Sequence, residues 1–357
     1  MKLLLILVAG VLVIYGALNQ DTNVFASSVS VDEIETDNGW GVTAVDPESN
    51  KVFITNFKSD TVTVIDANTN EKISEIKVGK TPYGIGINTE TKMLYVALEH
   101  TGVLSIVDTN TNEIVKEIEL EDPYDIVVNS KSNKAYVTSD ATSTVFVVDG
   151  STNEIVASFE VDNPCGVAVN EETNMVYVTS SSTDKVHVID GTDNTLVRII
   201  DVGKSPRGVF ANPNSNLVYV TNQLDGTVDV IDGDTNQKID TIPVENTPRR
   251  VVVDPDSNIV YVSNQISNSI SVIDGYSNEV VDSISVEQPF ELMLNPKTNK
   301  LYSSYSGIST LSIVNDIRAE QTFDYDSIIL MAGAGALAAG ITFVMVRKKK
   351  QRVKSQT

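Results

Sequence analysis

One short pattern recurs seven times along this chain, at a spacing that leaves few architectures open. Its anchor is an aromatic residue flanked by β-formers: Phe53, Tyr95, Tyr136, Tyr177, Tyr219, Tyr261 and Tyr302. Successive anchors lie 42, 41, 41, 42, 42 and 41 residues apart, the period of one four-stranded propeller blade. The repeat therefore predicts an all-β, seven-bladed β-propeller of four-stranded blades.

Within each copy the order of segments is constant. The fifth reads Gly208-Val209-Phe210-Ala211, NPNSN, LVYVTN, QLDG, TVDVID, GDTNQ and KIDTIPV. Short runs of Val, Ile, Tyr and Thr bounded by Asn, Asp, Gly, Ser or Pro read as strands separated by turns. The aromatic strand is almost continuously apolar, as at Val218, Tyr219 and Val220, which suits a strand covered on both faces. Only stacked neighbours supply that cover, so the array reads as one cooperative unit over residues 27–315.

The seventh copy runs through Leu311-Ser312-Ile313-Val314 but has no fourth strand after Asn315. Val29-Ser30-Val31-Asp32-Glu33-Ile34-Glu35, ahead of the first copy, aligns instead with fourth-strand segments such as Ile114 to Leu120. The N-terminal strand is expected to complete the last blade, a closure that removes exposed sheet edges.

The words VYVTS and VYVTN make the chain resemble the YVTN-repeat β-propellers of surface and exported proteins, many of them archaeal. The resemblance covers residues 39–315, with departures at Phe53, at Leu94-Tyr95-Val96-Ala97 and at Leu301-Tyr302-Ser303-Ser304. It implies a fold and an extracytoplasmic setting, and no single reaction.

The two ends of the chain carry targeting signals. Residues 3–18 are an apolar run of 16 after Lys2, and Val24-Phe25-Ala26 offers small residues where a signal peptidase reads, so 1–26 reads as a signal peptide; an uncleaved N-terminal anchor is the alternative. Residues 328–346 run 19 positions without a charge and are followed by Arg347, Lys348, Lys349, Lys350, Arg352 and Lys354. That reads as one C-terminal transmembrane helix after a linker 316–327, with 347–357 as a basic cytoplasmic tail and the propeller extracellular. Ala332, Ala336 and Gly340, with Gly335 and Ala339, recur at four-residue spacing and would let a second helix approach closely, a route to a homodimer; such residues are also common in membrane helices generally.

Removing both ends leaves residues 27–326 with 19 basic and 47 acidic side chains. Such a surface repels nucleic acid. Cys165 is the only cysteine, so no internal disulfide forms, and a buried thiol is expected.

Signals of catalysis are sparse. The two histidines, His100 and His187, are too few for a three-histidine metal site, and neither a zinc-protease nor a phosphate-loop motif occurs. His187 occupies a strand slot that also accepts Phe146, Asp229 and Ser271, which suits a partly exposed strand face. Asp66, Asp108, Asp149, Asp190, Asp232 and Asp274 end the third strands, where an Asp side chain bonds the turn backbone. Asp232-Gly233-Asp234 begins like a calcium loop, but Gln237 and Pro243 stand where that loop requires Gly and Glu. No catalytic, metal or cofactor residue is assigned.

Comparing the copies with each other locates a better candidate. In an antiparallel blade, the loop leading into strand one and the loop between strands two and three open on the same face of the ring. There Trp40, Tyr83, Tyr124, Cys165, Arg207, Arg249 and Phe290 take equivalent positions beside the channel, followed by Gly41, Gly84, Asp125, Gly166, Gly208, Arg250 and Glu291. An aromatic arc of Trp40, Tyr83, Tyr124 and Phe290 facing Arg207, Arg249 and Arg250 predicts a site for a carboxylate, phosphate or glycan. The alternative is that the arginines pair with Asp125 and Glu291 and the aromatics plug the channel.

The expected function is recognition: a membrane-anchored surface scaffold that binds a surface protein, a glycan or a small anionic ligand. The runner-up is an extracytoplasmic enzyme or electron-transfer accessory holding a metal or redox cofactor in the channel.

Overall fold

The computed structural model describes residues 29–36, 41–305, 310–315 and 317. The expected signal peptide (1–26), transmembrane helix (328–346), cytoplasmic tail (347–357) and Trp40 lie outside them, as does the linker 316–327 apart from Ile317. Among the described residues no helix is long and apolar enough to cross a membrane.

Seven antiparallel sheets of four strands form the blades, six of them built from consecutive strands. The fifth uses Pro206–Ala211, Leu217–Asn222, Thr227–Asp232 and Gln237–Pro243. In the seventh, Ser30–Glu35 pairs antiparallel with Thr310–Asn315, from Ser30 opposite Asn315 to Glu35 opposite Thr310. The two ends of the array thus close the ring within a single sheet, as the missing fourth strand implies.

The core lies between blades rather than within them. One cluster joins Tyr219, Val228, Val230 and Ile242 of the fifth blade to Val251, Val253, Val260 and Val262 of the sixth. All the tyrosine anchors are fully buried. Truncating one to Ala opens a cavity costing about 3–5 kcal/mol. Burial, with a nearby Asp of the next blade, pushes the hydroxyls of Tyr95, Tyr136 and Tyr219 up to about 12.

At some of the turns, glycine makes room for that hydroxyl. A Cβ at Gly150 would stand 2.7 Å from the Tyr95 hydroxyl, and one at Gly275 would stand 2.8 Å from that of Tyr219.

The turns between strands one and two carry asparagines with positive φ, which Asn tolerates better than most residues: Asn133 (52°), Asn174 (57°), Asn216 (54°) and Asn258 (56°). Each accepts a bond from the Asn at or just after the end of strand one of the preceding blade. The ladder runs Asn88 to Asn133 (2.8 Å), Asn129 to Asn174 (2.7 Å), Asn170 to Asn216 (2.7 Å) and Asn212 to Asn258 (2.8 Å). At the first step an ion pair replaces it, Lys92 Nζ standing 2.8 Å from Asp46.

The aspartates that end the third strands behave as their sequence position predicts. Each accepts the backbone N–H two residues on, at 2.7–2.9 Å for Asp66, Asp108, Asp149, Asp190, Asp232 and Asp274. Cys165 is buried and unbridged.

Candidate functional site at the channel mouth

Strand one of most blades opens with an irregularity that creates the mouth. Pairing breaks between Pro164 and Val167, Pro206 and Val209, and Pro248 and Val251, so two residues of strand one face a single residue of strand two. Such a bulge re-aims side chains, and the bulged pairs are the candidate positions Cys165-Gly166, Arg207-Gly208 and Arg249-Arg250.

The threonine of the YVTN word fills the bulge. Thr221 Oγ1 accepts the Gly208 N–H at 2.8 Å and donates to the Arg249 carbonyl of the next blade at 2.7 Å. Thr179 does the same with Gly166 (2.8 Å) and the Arg207 carbonyl (2.9 Å), and Thr55 reaches the Tyr83 carbonyl at 2.9 Å. One hydroxyl therefore closes its own bulge and staples the neighbouring blade.

The second bulge position explains its own glycines. A Cβ at Gly84 would lie 1.9 Å from the Tyr124 carbonyl, at Gly166 2.2 Å from that of Arg207, and at Gly208 2.4 Å from that of Arg249. Three copies carry a side chain here instead, and those three side chains meet. Arg250 donates Nη1 and Nη2 to the two carboxylate oxygens of Asp125 at 2.9 and 3.0 Å, and its Nε to Glu291. Blades three, six and seven are tied together across the channel.

This triad is nearly dry: side-chain exposure is 17% for Arg250, 8% for Asp125 and 6% for Glu291. Burial opposes the charge on Arg250, yet Asp125 and Glu291 together raise its pKa well above the ordinary value. Burial also pushes the Glu291 carboxyl up, with Arg250 opposing and Asp125 adding to the rise. Asp125 further accepts the Val167 N–H at 3.2 Å. Arg250 thus follows the pairing alternative, its whole fork taken up by carboxylates.

Arg207 and Arg249 differ from it. Arg207 Nε donates to Gln223 Oε1 at 3.0 Å and Nη1 to the Cys165 sulfur at 3.2 Å. Arg249 Nη1 reaches Gln265 Oε1 at 3.5 Å, and its guanidinium sits 3.8 Å from the centre of the Phe290 ring. Among the described residues neither has a carboxylate partner. Burial holds the Arg249 pKa below the ordinary value, and the like charge of Arg207 contributes, against the pull of Glu291, Tyr83 and Tyr124.

Of the aromatic arc, Tyr83, Tyr124 and Phe290 belong to one apolar cluster, and Trp40 lies outside the described residues. Tyr83 and Tyr124 stack on each other, with centroids 4.7 Å apart at 24° and hydroxyls 3.1 Å apart. Phe290, of the same cluster, also lies beneath the Arg249 guanidinium. Tyr83 and Phe290 are buried and offer no open face. What remains is a small cavity of about 20 Å³ lined by Tyr124, Cys165, Arg207, Arg249 and glycine backbone, with Arg250 and Glu291 of the ion triad at its edge.

His187 is half-buried on its strand, and burial lowers its pKa. His100 lies apart from the mouth cavity, its ring 5.7 Å from Phe57 in an edge-on contact. Among the described residues no three His, Cys, Asp or Glu side chains are arranged to hold a metal. Sequence comparison of the copies did not single out Gln223 or Gln265, although both follow a YVTN-type strand directly and differ from the Glu99 and Asp140 of other copies.

No family model and no curated protein matches the chain. Among solved structures it is similar to one described as Kuenenia stuttgartiensis hydrazine synthase, with a TM-score of 0.70 at 18% identity, covering 79% of this chain and 97% of that one. At that identity the likeness establishes the seven-bladed fold and nothing about chemistry.

Proposed function

We propose that this chain is a recognition propeller of the YVTN-repeat kind, anchored at the cell surface, that presents the mouth of its channel to an anionic partner. The observation that carries this reading is the division among the mouth arginines. Arg250 is fully paired, whereas Arg207 and Arg249 are positioned by amides, a sulfur and a ring, with their charge left for something else. Holding two guanidiniums together with no carboxylate bonded to either, Glu291 acting on Arg249 only at a distance, costs stability, and an anion that accepts from both recovers it. On a chain of net charge −22, such a basic spot is also a strong discriminator.

Support for the surface setting comes from the apolar runs at residues 3–18 and 328–346 and from the basic tail. The test has two parts. Protease added to intact cells should shave the propeller while leaving an epitope on residues 347–357 protected; a protected propeller would refute the topology. Screening the full chain in detergent against panels of surface proteins, glycans and small carboxylates should yield binders whose affinity Arg207→Ala with Arg249→Ala abolishes. Undiminished affinity would move the site elsewhere.

A further inference from the structure

The rim around the mouth is not uniform, and its asymmetry bears on what binds there. The tips of the loops between strands two and three carry Lys58, His100, Ala141, Ser182, Leu224 and Ile266 in the first six copies. Only the fifth and sixth copies place a large aliphatic there. Leu224 is 73% exposed and Ile266 68% exposed. The other exposed large aliphatics among the described residues all lie on the outermost strands of blades. Two bare aliphatic tips in adjacent blades offer apolar area to a partner that spans both loops.

These are also the blades that supply Arg207 and Arg249. Gln223 and Gln265, which hold the two guanidiniums, immediately precede Leu224 and Ile266. Cation and apolar step are therefore built by one two-residue device, repeated in neighbouring blades. Asp225, next to Leu224 in the chain, is engaged by the Lys204 N–H at 2.7 Å. Blades two and three carry Glu99, Asp122 and Asp140, and the entry loops of blades six and seven carry Glu245 and Glu287, so it is the two arginines of the mouth, not the acidic rim, that draw an acidic partner to this side.

The burial of Tyr83 and Phe290 weighs against a sugar and leaves Tyr124 as the described mouth aromatic that lines the cavity. Glycans are held largely by stacking on open aromatic faces, and neither ring has one to offer. The cavity itself, about 20 Å³, is too small for a saccharide unit, so a ligand meets the arginines at its opening, and the aliphatic tips lie outside it.

We propose that the rim of blades five and six docks an acidic, amphipathic protein segment, which seats a carboxylate on Arg207 and Arg249 and lays aliphatic side chains on Leu224 and Ile266. This rests on the reading of the mouth as a recognition site and adds the class of partner. Bidentate arginine sets orientation, and the apolar tips supply area that a free carboxylate cannot use.

The test uses the full chain in detergent and fluorescence anisotropy with three labelled peptides: one alternating Glu with Leu, one alternating Glu with Ser, and one alternating Gln with Leu. The Glu–Leu peptide should bind saturably and more tightly than either other. Arg207→Gln with Arg249→Gln should weaken it by about ten-fold or more. Leu224→Ser with Ile266→Ser should weaken it by about five-fold while leaving the Glu–Ser peptide unchanged. Equal binding of the Glu–Leu and Glu–Ser peptides would overturn the amphipathic segment and leave a simple anion site, with the recognition mouth intact. Displacement by a sulfated oligosaccharide that is indifferent to Leu224→Ser with Ile266→Ser would replace the partner class with glycans. Saturable binding that survives the arginine substitutions, or no saturable binding by any peptide, would overturn the inference, and survival would also remove the mouth as the recognition site.

Discussion

The two faces of the ring are made from the same repeat, yet they treat charge in opposite ways. On the face of tight turns, carboxylates are surrounded by donors. Asp190 and Asp232 are held below the usual range chiefly by backbone N–H groups, and Asp46 is also low, burial being outweighed by Lys92 and Ser49. On the mouth face, Glu99, Asp122 and Glu291 are all pushed up, burial being the largest cause and neighbouring carboxylates contributing. Asp201, at the end of an outer strand, escapes this because Lys185 holds it low. The turn face spends its polar groups on holding the fold, while the mouth face tolerates electrostatic strain. Strain kept at one face of an otherwise regular repeat makes that face the candidate for a role other than stability.

The sharpest way to break this comparison is at the seam where both faces depend on closure. Deleting residues 29–35 removes the strand paired with Thr310–Asn315 and exposes a sheet edge and the flank of the first blade. The folded state should be lost, read as disappearance of the cooperative transition in circular dichroism. A full-length melting profile would mean that the ring does not close this way.

Next in size is the cross-channel triad. Arg250→Ala strands two buried carboxylates and should cost about 3–5 kcal/mol in urea unfolding. A change below about 1 kcal/mol would place the triad among surface ion pairs, where little is at stake. Smaller again, Thr221→Val leaves the Gly208 N–H and the Arg249 carbonyl without this partner, a loss of about 1–2 kcal/mol. That value should recur for Thr179→Val if the staple is a property of the repeat rather than of one blade.

The smallest effect separates the faces by pH. Groups held low stabilise the fold above the unfolded carboxylate pKa of about 4, and that contribution disappears as pH falls through their folded values. Groups pushed up do the reverse, contributing most below about 4 and losing it as pH rises through their folded values. Asp232→Asn should therefore flatten the acid limb of a stability profile. Glu99→Gln should flatten the decline on the rising side. Carbon-detected NMR titration of the side-chain carboxyls checks the same split directly, and a single common titration range would erase the contrast.

Much of the ring was readable from residues alone. The period predicts seven blades, the unfinished last copy predicts the N-terminal clasp, and Asp before Gly predicts the turn bonds. All of these are local or periodic, which is the information a repeat displays. The bulge was not readable, because Pro-x-Gly and Pro-Arg-Arg look alike in strand composition while the extra residue shows only in the register. Nor could the period show that Arg250 reaches Asp125, 125 residues away, or that Phe290 belongs under Arg249. Those contacts follow from the curvature that brings distant blades across one channel. The candidate positions were therefore identifiable as a set, but their separation into a buried clamp and an available pair required the fold.

That separation is the central claim, and melting curves of two variants test it most directly. Arg207→Gln with Arg249→Gln should unfold within about 2 °C of the parent chain, while Arg250→Gln should fall by about 10 °C. If the double variant falls as far as Arg250→Gln, all three arginines hold the fold together and the mouth carries no charge reserved for a partner.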